Sequence, residues 1–526
     1  MNSPQSLLCL CVLATACAAD TPAKSTVARK PNFTVGKDTT FVTGPVDKDG
    51  YVDYAAALNE RLSKGVTPDT NANVPIWQAI GPRPLGSKPM PIEFFKRMGM
   101  DEPPEKGEYF IDLHRYLLDR KVEDPEVIVA AEKELSVTGE YPWTAKDHPQ
   151  IADWLKANEK PLTLIVEATK RKHYFSPMTP KRTLKGSSGV ISVSIPGTHT
   201  CRAITTALTS RAMRRIYEGK LDDAWQDLLA CHRLARHVGH GGTAIECLVG
   251  IAVENLAQRA DIALLDVPGL DSKRVRGYLG ELKALPPMPA IADVIDLGER
   301  ISFLDTVMLV DRTGAGLIRE LVGPPNSDEE KLPFGPLEKI DWNPGLRSVN
   351  KWFDRLAAAS RGKDRATREE LFAKFDTDIK ELKAALINSE DMIKALRGVD
   401  ISPAARGKLL GDALVSCLIP AMWKIQQSGD RCEQGQRNLH IAFALAAFRC
   451  DHKTYPNSLS ELAPRYLDKV PEDLFSGKPL LYRGFEKSCL LYSVGPNGVD
   501  DDGQSPRDEP RGDDVAVRIP IPIPKK

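Results

Sequence analysis

Neither charge is in excess. Lys and Arg total 71 of the 526 residues, as do Asp and Glu, so the formal net charge is zero. A dedicated nucleic-acid binder carries a basic surplus, and this composition argues against one. Aromatic residues are sparse at 6%, while 40 prolines and 38 glycines interrupt Leu/Ala-rich stretches, which predicts many connections around helices. Long apolar runs are missing too. After the first twenty residues none reaches the roughly eighteen apolar residues of a membrane helix, so no transmembrane helix is expected in the mature chain. Cysteine is thinly spread. Beyond that leader lie Cys201, Cys231, Cys247, Cys417, Cys432, Cys450 and Cys489, an odd number at wide spacings, unlike a compact disulfide framework. Most sit in apolar helical patterns, where a thiol behaves as a small core hydrophobe. Cys432 and Cys450 are within the reach of a bridge in principle; buried thiols are the expectation. No phosphate loop, dinucleotide fingerprint, nucleophile elbow or paired-carboxylate motif is present, so no motif supplies a reaction.

What is there begins with an export signal. Leu7 to Ala19 is an apolar run too short to span a bilayer and the right size for the core of a signal peptide. Ala14, Ala16 and Ala18 offer cleavage positions, and Ala14-Thr15-Ala16-Cys17 is a loose lipobox that makes Cys17 a candidate lipid anchor. The expected location is therefore periplasmic, envelope-bound or secreted. Hydrophobic content of 42% and charged content of 27% are ordinary for a folded protein, and the length exceeds what one hydrophobic core serves.

The chain divides by pattern into a signal peptide (1–20), a polar linker (21–40), an N-terminal helical region (41–160), a central helical domain (161–322), a Pro/Gly-rich linker (323–345), a long-helix region (346–420) and a C-terminal module (421–526). In the first helical region Tyr54–Lys64 and Ile111–Leu118 read as helices between Pro-rich joints. Residues 162–168 fit a strand or a helix. Around Gly219, residues 211–238 read as an antiparallel helix pair. Thr367 and Glu370 form a capping-box pattern before Leu371, Phe375, Ile379, Leu382, Leu386, Ile393 and Leu396, which predicts one helix roughly 45 Å long, ended by Gly398. A further helix is expected from Pro420 through Phe448. Its stretch Ile441–Phe448 is apolar on nearly every side and must be wrapped by other elements.

After that helix come Tyr455-Pro456, Pro471-Glu472-Asp473, Phe475 to Leu480, and Tyr492-Ser493-Val494-Gly495-Pro496-Asn497-Gly498, with an Asp-rich run to Gly503 and Gly512-Asp513-Asp514-Val515 beyond. In that order they resemble the soluble part of the major pseudopilin of type II secretion systems, over about a sixth of the chain. The resemblance implies an α+β module, a long helix against a small antiparallel sheet, and a terminal loop that binds calcium. The ligand candidates it implies are Asp500, Asp502, Asp513 and Asp514, with Asn497 standing where the family prefers Asp. Calcium takes six to eight oxygens, which such a loop supplies from carboxylates and carbonyls. A segment Gln504–Arg511 is inserted relative to the family. The layout as a whole also resembles exported proteins of planctomycete-type bacteria, which implies a compartment and no mechanism.

Other constellations read more plainly as structure. Asp47-Lys48-Asp49-Gly50-Tyr51-Val52-Asp53 mimics part of an EF-hand loop, but Pro45 and Ala56 stand at its two end-ligand positions. A turn with Asp53 capping the next helix explains it. His199 with Cys201, and Cys231-His232 with His237 and His240, lack zinc spacing, and His232 lies on an apolar helix face. Lys170-Arg171-Lys172-His173 and Lys181-Arg182 form a local basic patch. The reading is a mainly α, multi-domain exported protein, non-catalytic, that binds or scaffolds an envelope partner. The alternative is an exported hydrolase with a site assembled in residues 160–320 from His199, Glu167 or His232.

Overall fold

The computed structural model describes residues 30–180, 189–313, 339–387, 389–418 and 422–522. The signal peptide, Cys17, the patch residues Lys181 and Arg182, and most of the 323–345 linker lie outside them.

The first helices are short because prolines and capping carboxylates punctuate the chain. They are α1 (Tyr54–Leu62), α2 (Asn73–Ile80), α3 (Ile92–Met98), α4 (Leu113–Asp119), α5 (Pro125–Thr138), α6 (Pro149–Ala157) and α7 (Glu159–Ala168). Asp53, Asp112 and Asp124 each accept a backbone N–H in the first turn of the helix they precede. The ambiguous stretch 162–168 is helical. Three long helices then pack on one another: α8 (Pro196–Tyr217), α9 (Leu221–Gly239) and α10 (Ala244–Leu264). The expected helix pair around Gly219 is α8 and α9.

Next come α11 (Ser272–Lys283), α12 (Arg300–Thr313), α13 (Asn343–Ser360), α14 (Arg365–Ile387), α15 (Glu390–Arg397), α16 (Pro403–Leu418) and α17 (Met422–His452). The single helix predicted from Thr367 to Leu396 is corrected to two. Asp364 accepts the Thr367 N–H at 2.8 Å, so α14 starts before the Thr367/Glu370 box. Ser389 accepts the Asp391 N–H at 3.2 Å and caps α15 as a separate helix. Burial falls on Phe372, Phe375, Ile379 and Leu386, whereas Leu371 and Ile393 are 39% and 46% exposed. Gly398, left-handed, ends α15 as expected.

The last hundred residues carry a three-stranded antiparallel sheet in the order β1 (Leu481–Gly484), β2 (Cys489–Ser493), β3 (Val515–Ile519). Leu481 pairs with Tyr492, and Cys489 pairs with both Gly484 and Ile519. Fold class is therefore mainly helical with a small C-terminal sheet.

Two hydrophobic cores run through the molecule, and neither follows chain order. One joins α2–α11 to the second half of α17 and the sheet. The other joins residues 51–58, the start of α10 and α12–α16 to the first half of α17. Residues 30–40 lie against this second core, where Thr39 and Thr40 are buried and the Trp342 N–H donates to Asn32 O at 3.0 Å. Ile441–Phe448 is wrapped on all sides, seven of its residues being fully buried and Phe448 nearly so. Phe443 meets Trp225 edge-on at 5.7 Å, and Trp225 stacks on Tyr278. All seven cysteines beyond the leader are free thiols, five of them buried.

Truncating Phe443 to Ala removes the ring that pins α17 against α9 and α11. We expect a loss of about 3–5 kcal/mol of stability, read by denaturant unfolding. Trp fluorescence should change together with far-UV circular dichroism, because helix and body share one core.

Candidate functional site

The acidic loop between β2 and β3 is held at both ends before its carboxylates are placed. Buried Asp473 accepts the Ser493 Oγ hydrogen at 2.6 Å, the Ser476 hydroxyl at 2.8 Å and the Phe475 N–H at 2.9 Å, which fixes the loop entry. Gly495 follows with φ of 67°. A Cβ there would stand 2.2 Å from the Asp513 carbonyl, so only glycine lets the entry and exit of the loop approach this closely. Arg518 donates to the Gly503 carbonyl at 2.6 Å and to Asp508, and so braces the 504–511 segment.

Inside this frame Asp501, Asp513 and Asp514 bring carboxylate oxygens within 4.8 Å of one another. Asp514 is 1% exposed. Its Oδ2 accepts the Gly503 N–H at 2.8 Å, whereas its Oδ1 is buried with no hydrogen-bond partner. Asp513 Oδ1 is likewise buried and unpartnered, while Asp513 Oδ2 accepts the Asn497 N–H at 3.0 Å. Asp501 Oδ2 accepts the Asp513 N–H at 2.9 Å. Burial pushes the Asp514 carboxyl up to about 6 against the Gly503 N–H, and the Asp501 and Asp500 charges add to the rise.

Of the five residues singled out from sequence, Asp513 and Asp514 are in the cluster. Asn497 borders it as a donor, its Nδ2 lying 3.4 Å from Asp501 Oδ2 and its own Oδ1 taken by the Val499 N–H. Asp500 and Asp502 lie outside it. Asp500 Oδ1 accepts the Asp502 N–H, and Asp502 pairs with Arg483 at 2.7 Å. Asp501 was missed. In a run of three aspartates the sequence does not say which one turns inward. Beside the cluster an open groove of about 510 Å³ is lined by Lys424, Gln427, Ser428 and Arg431 of α17 with Pro496 and Asn497. Its side chains are mostly polar or charged, but more of its accessible wall is apolar than polar.

Among the histidine candidates, His237 stacks on the Tyr174 ring at 5.9 Å, and burial lowers its imidazole against the Thr169 carbonyl, with the nearby His240, Arg233 and His173 adding to the fall. His199 and Glu167 are exposed on different helices. Cys201 is buried, donates to the Gly197 carbonyl and has its thiol pushed up to about 12 by burial and then by Glu246. His237 Nε2 lies 3.0 Å from Thr169 O, and His240 Nδ1 lies 2.7 Å from Arg236 O. Within the basic patch Lys170 pairs with Glu167, and Arg171 donates to the carbonyls of Pro68 and Asn71. The Asp47–Asp53 segment is a turn: Asp47 Oδ1 accepts the N–H groups of Asp49 and Tyr51, and Asp53 caps α1.

His232 is the satisfied core histidine its helix face predicts. Its Nδ1 lies 2.9 Å from Glu254 Oε2 and its Nε2 lies 2.7 Å from Asp261 Oδ2, with all three side chains at most 1% exposed. Arg236 donates to Glu254 Oε2 at 2.7 Å, and Gln436 of α17 donates to Glu254 Oε1 at 3.0 Å. Burial pulls the imidazolium down, but Glu254 and Asp261 outweigh it and push His232 up to about 9.

Against known proteins the chain stands apart: no family model, no curated protein and no solved structure matches it.

The His232 cluster generates a pH prediction. Its folded value exceeds the ordinary 6.5, so its contribution is fully present below about pH 6.5 and is lost as pH rises through about 9. Thermal melts should fall across that window, and His232→Gln should flatten the fall. That variant should also lose about 3–5 kcal/mol at neutral pH, because it leaves buried carboxylates unpaired.

Proposed function

We propose that this chain is an exported, non-catalytic protein that binds or scaffolds a partner in the cell envelope, and that its C-terminal module is locked by calcium. One observation carries the calcium reading. Two adjacent carboxylates, Asp513 and Asp514, each hold a buried oxygen with no hydrogen-bond partner among the described residues, and each brings a carboxylate oxygen within 4.8 Å of one from Asp501. Leaving charged oxygens dry and unpaired is costly, and a cation removes that cost. The spacing fits, since oxygens around one calcium at 2.3–2.6 Å lie within about 5 Å of one another. Carboxylate-only donors favour a hard cation over zinc. Bound there, calcium would tie the β2 exit to the start of β3 and set the loop against α17. It supplies rigidity, not a reaction.

The pseudopilin-like reading of the module is supported by α17 lying against an antiparallel sheet with the acidic loop between β2 and β3. Export rests on the Leu7–Ala19 run and the candidate anchor Cys17. A calcium-locked module suits that compartment, where modules of this kind work at about 10⁻⁴–10⁻³ M calcium. The alternative of a hydrolase built on His199, Glu167 and His232 gains no support from their placement, which is two exposed residues and one core residue.

Melts of the mature chain in excess calcium and in EDTA test the reading. Saturation at about 100 times the dissociation constant adds roughly 2.7 kcal/mol, and Asp514→Asn should abolish most of the shift. An equal shift in the variant, or none in the parent, sinks the site. Asp514 is raised above 3.8, so without metal its contribution is present below that value and is lost as pH rises through about 6. The calcium shift should therefore be largest above about pH 6 and fade below it.

A further inference from the structure

A second place in the molecule collects carboxyl groups around open space. A cavity of about 330 Å³ lies between the 47–53 turn, α1, α3, residues 178–180 and 189–190, and the last turns of α12. That volume is at the lower end of the range for small-molecule sites, ~300–1,000 Å³.

Its charged lining is Asp47, Asp53, Glu93, Asp305, Arg97 and Arg312. Both guanidiniums are already matched: Arg97 pairs with Glu93 at 3.0 Å, and Arg312 pairs with Asp47 at 2.5 Å. Arg312 also lies over the Tyr51 ring at 4.0 Å. Among the described residues Asp53, which is exposed, and Asp305 form no ion pair. Among the described residues Asp53 Oδ1 accepts the Ala56 N–H and Asp305 Oδ2 accepts the Val190 N–H, and their second oxygens have no described donor. The Val190 contact depends on Gly189, where a Cβ would stand 2.6 Å from Asp305 Oδ2. The remaining wall is largely apolar, with Tyr54, Val190 and Met308 among its residues. The Tyr54 hydroxyl donates to the Thr40 carbonyl at 2.8 Å.

Burial pushes the Asp305 carboxyl up to about 7 against the Val190 N–H, with Asp53 adding to the rise and Arg312 opposing it. Such a group gains when a positive charge arrives.

We propose that this cavity binds a small organic cation, a primary amine on a carbon skeleton of diamine or amino-sugar size. The ammonium sits between Asp53 and Asp305, and its carbon body lies against Tyr54, Val190 and Met308. An anion is disfavoured because the arginines that would receive it are held by Glu93 and Asp47. A neutral polyol leaves the two carboxyls uncompensated. This goes beyond the calcium-locked module, since it uses a different part of the chain and an organic ligand.

The test is isothermal titration of the full mature chain saturated with calcium, so that failure here is separable from failure of the acidic-loop site. Putrescine and glucosamine are the probes, beside 1,4-butanediol, glucose and succinate as neutral and anionic counterparts. Whichever amine binds identifies the skeleton. The expected result is one amine per chain, with neutral counterparts about tenfold weaker or worse and succinate silent. Asp305→Asn keeps the Val190 hydrogen bond and should weaken amine binding by about tenfold or more without moving the melt appreciably. Should that variant fail to fold, the parent decides. Among Asp47, Asp53, Glu93, Asp305, Arg97, Arg312 and Tyr54, Asp305 is the carboxyl pushed into the neutral range, so affinity should rise severalfold between about pH 6 and about pH 8. No amine binding, equal binding of butanediol or glucose, undiminished binding by a folded Asp305→Asn, or a flat pH profile each overturns the proposal.

Discussion

An α-helix that is apolar on every side cannot rest on a surface; it has to be surrounded. Ile441–Phe448 imposes that constraint on this protein, and much of the architecture answers it. α10 and α11 cover α17 from the helical body, and β2 and β3 cover it from the other side. The sheet needs the helix as much as the helix needs the sheet. Three short strands have little stability unless one face is packed, and Leu491, Val517 and Ile519 are buried in the same core as α17. The first half of α17 enters the other core through Met422, Ile425 and Cys432. One rod thus passes through both cores and makes the C-terminal module part of the body.

The joints between the elements packed around this rod are made by buried carboxylates. Asp227 of α9 receives Arg211 through two bonds and Arg215 through a third, tying α9 to α8. Asp311 of α12 receives the Tyr51 hydroxyl, the Trp342 indole and the Asn32 side chain, and so gathers residues 30–51 and α13. Asp430 of α17 receives Arg368 of α14 and its own neighbour Gln426, which in turn accepts the Ser360 hydroxyl. The His232 cluster joins α9, α10 and α17 in the same manner. A buried ion pair adds little net stability over well-packed apolar groups, yet breaking one is expensive. Such joints are therefore better at fixing which element sits where than at raising the melting temperature.

This explains what the sequence made legible. Periodicity located the α8–α9 pair and the course of α17, and the all-round apolar stretch announced its own burial. Gly398 and Asp53 declared a helix end and a helix start. The break before α15 was hidden because the hydrophobic spacing continues across it, while Ser389 caps a new helix. The interleaving of the two cores was hidden because no local pattern records that Tyr51 lies beside Asp311, 260 residues away. At the acidic loop, composition disclosed the chemistry and two of the residues. The choice of Asp501 over Asp500 and Asp502 depends on backbone direction, to which Asp502 contributes a positive φ of 55°. The cavity carboxyl Asp305 carried no sequence signal, since its neighbours come from four separated segments.

Buried carboxyls with an unpartnered oxygen fall into two kinds, and access separates them. Glu246 Oε1 and Asp261 Oδ1 are orphaned inside closed packing. Burial pushes Glu246 up to about 7, and a proton answers its charge while its other oxygen receives the Thr243 N–H and hydroxyl. Asp261 already faces the His232 imidazolium. Asp513 and Asp514 differ because a third carboxylate and an open groove stand beside them. Asp305, a half-buried carboxyl, lines a cavity instead. Among the described residues many interior carboxylates are matched by arginine, histidine, indole or hydroxyl donors, and carboxyls with a free oxygen beside open space are where a cation has both a reason to bind and a way in.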